Sequence, residues 1–133
     1  MISLEKAKKA LELAEKKAQE LNVSVSIAVV DEYGVLIAFS RMEGAIKISP
    51  KFAFAKAYTA GTIGLATQDM AAFATDGKPY YDINSLFGGE LTTIAGGIPL
   101  IIEGKLAGAI GVGGSMDVSQ DHACAQAGSA AIV

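Results

Sequence analysis

The sequence contains no tryptophan, one cysteine, one histidine and three prolines among its 133 residues. A lone cysteine, Cys124, rules out an intramolecular disulfide and fits a reducing compartment. One histidine and one cysteine are too few for tetrahedral zinc ligation of the usual kind. The lysines of the first segment are interleaved with glutamates, and the net charge is −3. Nucleic-acid binding rests mainly on a basic surface, and none is visible here. The longest apolar runs fall far short of the ~20 residues that span a bilayer. The charged start, Met1 to Lys9, lacks the apolar stretch of a secretory signal. These absences predict a cytoplasmic protein with neither nucleic acid nor membrane as partner.

What is present is apolar, with 51% hydrophobic residues against 19% charged. The length suits one domain, residues 1–133, which can bury roughly two-thirds of its unfolded surface without a staple. With so few charges, some apolar groups must stay on the surface. Contiguous patches of that kind mark interfaces, so a homo-oligomer is expected.

Leu4, Ala7, Leu11, Ala14, Ala18 and Leu21 recur at spacings of three and four, the apolar stripe of a helix capped by Ser3. The period then falls to two through Val23, Val25, Ile27 and Val29. A turn at Asp31-Glu32-Tyr33-Gly34 leads to a second strand, Val35 to Ser40, and so to a hairpin. Ser49 and Pro50 open a helix that Gly61 or Gly64 ends, and Thr67 caps a shorter one. Tyr80 to Gly97 is irregular and glycine-rich, the kind of loop that carries function in small domains. Ile98 to Glu103 and Lys105 to Gly113 form a second hairpin. In its last strand Leu106, Gly108, Ile110 and Val112 share one face, and Ala107, Ala109, Gly111 and Gly113 the other. The Ala/Gly face admits close approach by a packed helix or by a flat ligand. Asp117-Val118-Ser119-Gln120 has the spacing of a capping box and opens the last helix.

Few motifs carry chemistry. Gly111-Val112-Gly113-Gly114-Ser115-Met116 lacks the third glycine of a dinucleotide fingerprint, and no βαβ unit can follow it. His122 and Cys124 lie two apart on a helix, pointing about 200° from each other, so they form no nucleophile–base pair. His122, Met116 and Met42 are the candidate ligands for a haem iron. Lys56 stands among apolar residues, either snorkelling or as a cation facing a site where it could hold a carboxylate or propionate. Glu90, beside Gly88-Gly89, is the acid expected to pair with Lys56 or to act as a base. Asp31 and Arg41 could form a structural ion pair.

Four stretches taken together resemble the GlcG/HbpS family, often labelled haem-degrading. They are Ser26-Ile27-Ala28-Val29-Val30-Asp31 with Phe39 to Ala45; Lys56-Ala57-Tyr58-Thr59-Ala60; Gly88-Gly89 through Gly96-Gly97 to Gly114; and Gln120 to Gly128. The chain is also similar to the C-terminal domain of some corrinoid adenosyltransferases of propanediol utilisation. The resemblance implies an α/β, profilin-like sandwich around a five-stranded antiparallel sheet, with a short fifth strand near Leu91 to Ile94. It implies dimers assembling into tetramers or octamers, and a setting in glycolate or diol metabolism. Haem or a related tetrapyrrole or corrinoid is the implied ligand, with no axial residue assigned.

Three readings follow. As a binding protein, the chain would hold a flat acidic ligand, with Lys56 and Tyr58 lining the site and Gly88, Gly89, Glu90, Gly96 and Gly97 giving close backbone approach. As a cofactor-free enzyme, it would act on a small carbonyl acid or aldehyde, with Lys56 binding the carbonyl and Glu90, with Tyr58 or Tyr80, moving protons. As an accessory subunit, its product would be its interface.

Overall fold

A computed structural model describes residues 1–132. The first helix, α1, runs Leu4–Glu20, and the Ser3 hydroxyl accepts from the Lys6 N–H at 3.2 Å. Its buried face is Ala7, Ala10, Ala14 and Ala18, a row of methyl groups that lets the helix sit close to its neighbours. Strands β1 (Ser26–Asp31) and β2 (Leu36–Arg41) form the expected antiparallel hairpin, Ser26 opposite Arg41. Helices α2 (Ser49–Ile63) and α3 (Thr67–Ala74) follow, then a 3-10 segment, Ile83–Gly89. The second hairpin is β3 (Gly97–Ile102) and β4 (Lys105–Gly113), and α4 (Val118–Ala130) closes the described chain. Asp117 caps α4, accepting from the Ser119 N–H.

The sheet is antiparallel throughout, in the order β2-β1-β4-β3. Among the described residues it has four strands, not five. Over Leu91 to Ile94, where a fifth strand was expected, side chains take up the backbone donors. The Thr92 N–H donates to Thr59 Oγ1 (3.0 Å) and the Ile94 N–H to Thr92 Oγ1 (3.2 Å), so no ladder forms.

Helices cover both faces. Ile27, Val29, Leu100, Ile110 and Val112 pack with α1 and α4 in the main core, while Ala28, Val30 and Ala109 meet Ala53, Ala57 and Ala60 of α2. Every residue of β1 is buried, as a strand covered on both faces must be. The Ala/Gly face of β4 serves the helix: a Cβ on Gly111 would strike the Ala53 carbonyl and the Ala57 nitrogen, and one on Gly113 would lie 2.6 Å from Phe52 Cβ. Two expected positions move, Leu106 and Ala107. The β3–β4 register slips at Ala107, since Leu100 faces Gly108 while Ile101 faces Leu106. That extra residue inverts the alternation, and Ala107 joins the α1/α4 core.

Two expected caps also differ. Ser49 lies inside α2 and is buried, its hydroxyl 2.8 Å from the Ser26 hydroxyl. Thr67 likewise opens α3, with Ala66 at the cap, and its hydroxyl accepts from the Gly97 N–H at 2.9 Å. Both hydroxyls tie a helix to the sheet layer instead of closing their own helix. Asp31 accepts from the Tyr33 and Val35 N–H groups, and Arg41 donates to the Ala45 carbonyl. Each organises its own turn, and among the described residues they form no ion pair.

Cys124 is fully buried between α4 and the sheet, and burial, reinforced by the Asp121 charge, pushes its thiol up to about 11. The folded value lies above the unfolded one of 9.0, so the stabilisation is complete below pH 9 and is lost as pH rises through 11. Two pH units correspond to about 3 kcal/mol. Urea titrations at pH 8.5 and 11 are expected to show Cys124→Ala losing less stability than the wild type over that interval. Equal losses in the two proteins would count against a thiol that ionises only on unfolding.

Candidate functional site

Lys56, on α2, is 1% exposed. Its Nζ donates to the Val112 carbonyl at 2.9 Å and to Asp121 Oδ2 at 3.0 Å. Asp121 sits in the first turn of α4, itself 1% exposed, and its other oxygen accepts from the Ser115 N–H. Helices α2 and α4 cover opposite faces of the sheet, so the Lys56 side chain crosses from one layer to the other at the end of β3. Glycine makes the crossing possible. A Cβ on Gly96 would lie 2.9 Å from Lys56 Nζ, and one on Gly97 would overlap the Lys56 carbonyl.

Burial pulls Lys56 below the ordinary lysine value and pushes Asp121 above the ordinary carboxylate range, and each is opposed by the other's charge. The carboxylate that pairs with Lys56 is therefore Asp121, not Glu90. Held by two acceptors inside the protein, the Lys56 nitrogen is out of reach of a carbonyl in solution, so its geometry does not favour attack on a substrate. Sequence reading missed Asp121, although its spacing from Cys124, Ala125 and Gly128 puts this acid on the face that α4 buries.

Beside this pair, a trough runs between α2 and the irregular segment that follows α3. One part of it, about 450 Å³, is lined by Tyr58, Thr62, Ile63, Met70, Tyr80, Ile83, Leu86, Phe87 and Leu91. A second cavity of about 350 Å³ shares Leu91 and adds Ile48, Lys51, Phe52, Ala55, Lys56, Asn84, Gly89, Thr92 and Ile94. A third, of about 420 Å³, continues past Lys51, Ala55 and Gly89 to Phe54, Gly88 and Glu90. The outer wall is unusual backbone: Asp82 and Phe87 have positive φ, of 65° and 52°. A bulky side chain such as phenylalanine rarely adopts that region, and such strain gathers at ligand clamps. Phe87 is 69% exposed, and Tyr80, Tyr81 and Leu86 are exposed around it.

Of the residues singled out from sequence, Lys56, Tyr58, Gly88, Gly89 and Glu90 line this trough, with Tyr80. Gly96 and Gly97 instead make room for Lys56. The three iron-ligand candidates are scattered. Met42 packs against the main core, and Met116 is 91% exposed in the β4–α4 loop. His122 lines a separate groove of about 590 Å³ with Asp69, Ile98 and Gln126. Its Nδ1 is buried without a hydrogen-bond partner, and burial pulls its pKa down against the opposing Asp69 charge. Sequence reading missed the apolar wall: Ile83, Leu86, Phe87 and Leu91 lie in an aperiodic segment that gives no face to read, and Met70, on α3, packs against Ile83 and Leu91. Among the described residues no three His, Cys, Asp or Glu side chains gather as a metal site, and no helix is long and apolar enough to cross a membrane. The donors that could reach a bound iron from the trough are the Tyr58 and Tyr80 phenols and the Met70 thioether.

The chain is similar to several known proteins. An uncharacterised 15.0 kDa protein of Citrobacter freundii, from the dhaT-dhaS intergenic region, is 34% identical over 94% of this chain and 87% of its own. The solved PduOC–haem complex superposes with a TM-score of 0.93 at 32% identity, covering 98% of this chain and 94% of that one. A double mutant of Streptomyces reticuli HbpS superposes with a TM-score of 0.91 at 30% identity, covering 99% and 87%. The family described as haem degrading protein HbpS-like matches residues 2–130, and the chain belongs to that family.

Proposed function

We propose that this protein binds haem or a closely related tetrapyrrole in the trough between α2 and the segment from Tyr80 to Ile94. The observation that carries the reading is the cavity of about 450 Å³ walled almost wholly by apolar and aromatic side chains, in a chain otherwise poor in aromatics. Ligand cavities have this size and lining, and a flat macrocycle gains most from excluding water between aromatic walls. The haem-bound PduOC relative adds weight to the choice of ligand. Tyr58, Phe87 and Leu86 would sandwich and shield the ring, and a bound iron would supply redox and Lewis-acid chemistry. The enzyme reading loses its nucleophile to the Lys56–Asp121 pair. A homo-oligomer remains part of the proposal, supported by exposed Leu36 and Phe39 on the edge strand β2 and Val35 just before it. Cytoplasmic residence is supported by the single, buried thiol, and a setting in glycolate or diol metabolism by the family resemblance.

Haemin titration followed by absorbance tests this. The wild type is expected to show a saturable Soret shift at fixed stoichiometry. Thr62→Trp, which fills the cavity from its exposed rim, is expected to weaken binding at least tenfold with unchanged thermal stability. His122→Ala is expected to bind as the wild type does. Loss of the band in His122→Ala together with its survival in Thr62→Trp would move the site to the α3–α4 groove and overturn the proposal.

A further inference from the structure

Two adjoining parts of the trough differ chemically, and Glu90 lies in the third, beyond Lys51. The cavity of Tyr58 and Phe87 carries no charged lining residue, whereas the adjoining cavity has Lys51, Lys56, Asn84 and Thr92 and, among the described residues, no carboxylate. Leu91 lines both, so the two cavities adjoin. Lys56 lines the second cavity with its stem, while its buried nitrogen is engaged by Val112 and Asp121, so the cation a guest can reach there is Lys51. Lys51 stands at its exposed rim, and the Asn84 amide faces the same space.

We infer that the ligand of this trough lies in one orientation, its macrocycle against Tyr58 and Phe87 and its carboxylate arms in the Lys51–Lys56–Asn84 cavity. The inference rests on the tetrapyrrole reading and sharpens it. The recognised class is a flat, apolar molecule with acid groups along one edge, held by shape and charge whether or not it carries iron. Lys51 is then a specificity residue for the acid edge, and Asn84 its neutral partner.

The test uses metal-free protoporphyrin IX and its dimethyl ester, titrated by porphyrin fluorescence against wild type, Lys51→Met and Asn84→Leu. Lys51→Met is expected to weaken the free acid about threefold to fivefold, the range of an exposed ion pair, and to leave the diester unchanged within twofold. Asn84→Leu is expected to follow the same pattern. Affinity for the free acid, but not the diester, should fall as salt rises. Equal effects of Lys51→Met on the two porphyrins, or none on the acid, would overturn the orientation while leaving the trough as the site. Wild-type protein that saturates with neither porphyrin but does so with haemin would overturn the iron-independent class. Saturation with none of the three would sink the tetrapyrrole reading itself.

Discussion

Lys56→Met is expected to cost about 3–5 kcal/mol of folding stability at neutral pH, because it strands a buried carboxylate. Asp121 is 1% exposed, and apart from Lys56 it has backbone N–H donors of the β4–α4 loop for company. Burial already raises its pKa, and the Lys56 charge is the chief opposing influence. Without the lysine, the folded value moves further above the unfolded one. A group raised on folding stabilises below its unfolded pKa and loses that contribution as pH rises through its folded pKa. Lys56→Met is therefore expected to be closest to wild type in mild acid and to fall behind it steadily toward neutrality. Replacing both partners, Lys56→Met with Asp121→Leu, should recover much of the loss, since two apolar side chains leave nothing unpaired. Urea unfolding at pH 4.5 and 7.5 on the three variants reads all of this. A single variant within 1 kcal/mol of wild type at pH 7.5, or a double variant no better than the single, would mean that the pair is not what joins the layers.

Gly111→Ala is expected to cost about 4 kcal/mol or more, at the extreme end for a single methyl group. The added Cβ would meet the Ala53 carbonyl and the Ala57 nitrogen, backbone atoms that cannot rotate aside, and the Ala57 methyl at 2.9 Å. Either α2 lifts from the sheet or β4 bows, and both loosen the layer that holds Lys56. Gly104→Ala in the turn of the same hairpin is the natural control. Gly104 has φ of 76° with nothing within 4 Å of its hypothetical Cβ, so only the left-handed backbone resists the change, at about 1 kcal/mol. Thermal unfolding of the two variants is expected to separate them by more than 10 °C. Near-equal midpoints would mean that the α2–β4 contact gives more readily than its backbone spacing implies.

Much of the fold was readable because it repeats. The period of α1, the alternation in the first hairpin and the Asp117 cap each predict an element that the structure contains. What escaped depends on partners distant in sequence. Ser49 and Thr67 look like caps until Ser26 and Gly97 are brought beside them. The residues from Leu91 to Ile94 have strand-forming side chains, yet Thr59 takes the donor that a ladder would need. Ala107 changes faces because of one slipped residue that no alternation rule could foresee. The candidate site divides in the same way. Lys56 announced itself as a cation in apolar company, whereas its partner lies 65 positions along the chain. The trough wall comes from the aperiodic segment, and its character appears only once that segment lies across α2.

The strand order β2-β1-β4-β3 places at the centre of the sheet two strands drawn from opposite ends of the chain. β1 finds β2 within one turn but must wait for β4, Ser26 pairing with Gly113 and Asp31 with Gly108. A nascent chain that has not yet delivered Lys105 to Gly113 therefore carries a strand with the apolar centre Ile27 to Val30 and one edge open, and α1 without the α4 it packs against. Closing so long a loop makes assembly slow relative to a helical bundle of equal length. During synthesis on the ribosome, the interval before the second hairpin emerges is when this protein is most exposed to pairing with the wrong strand.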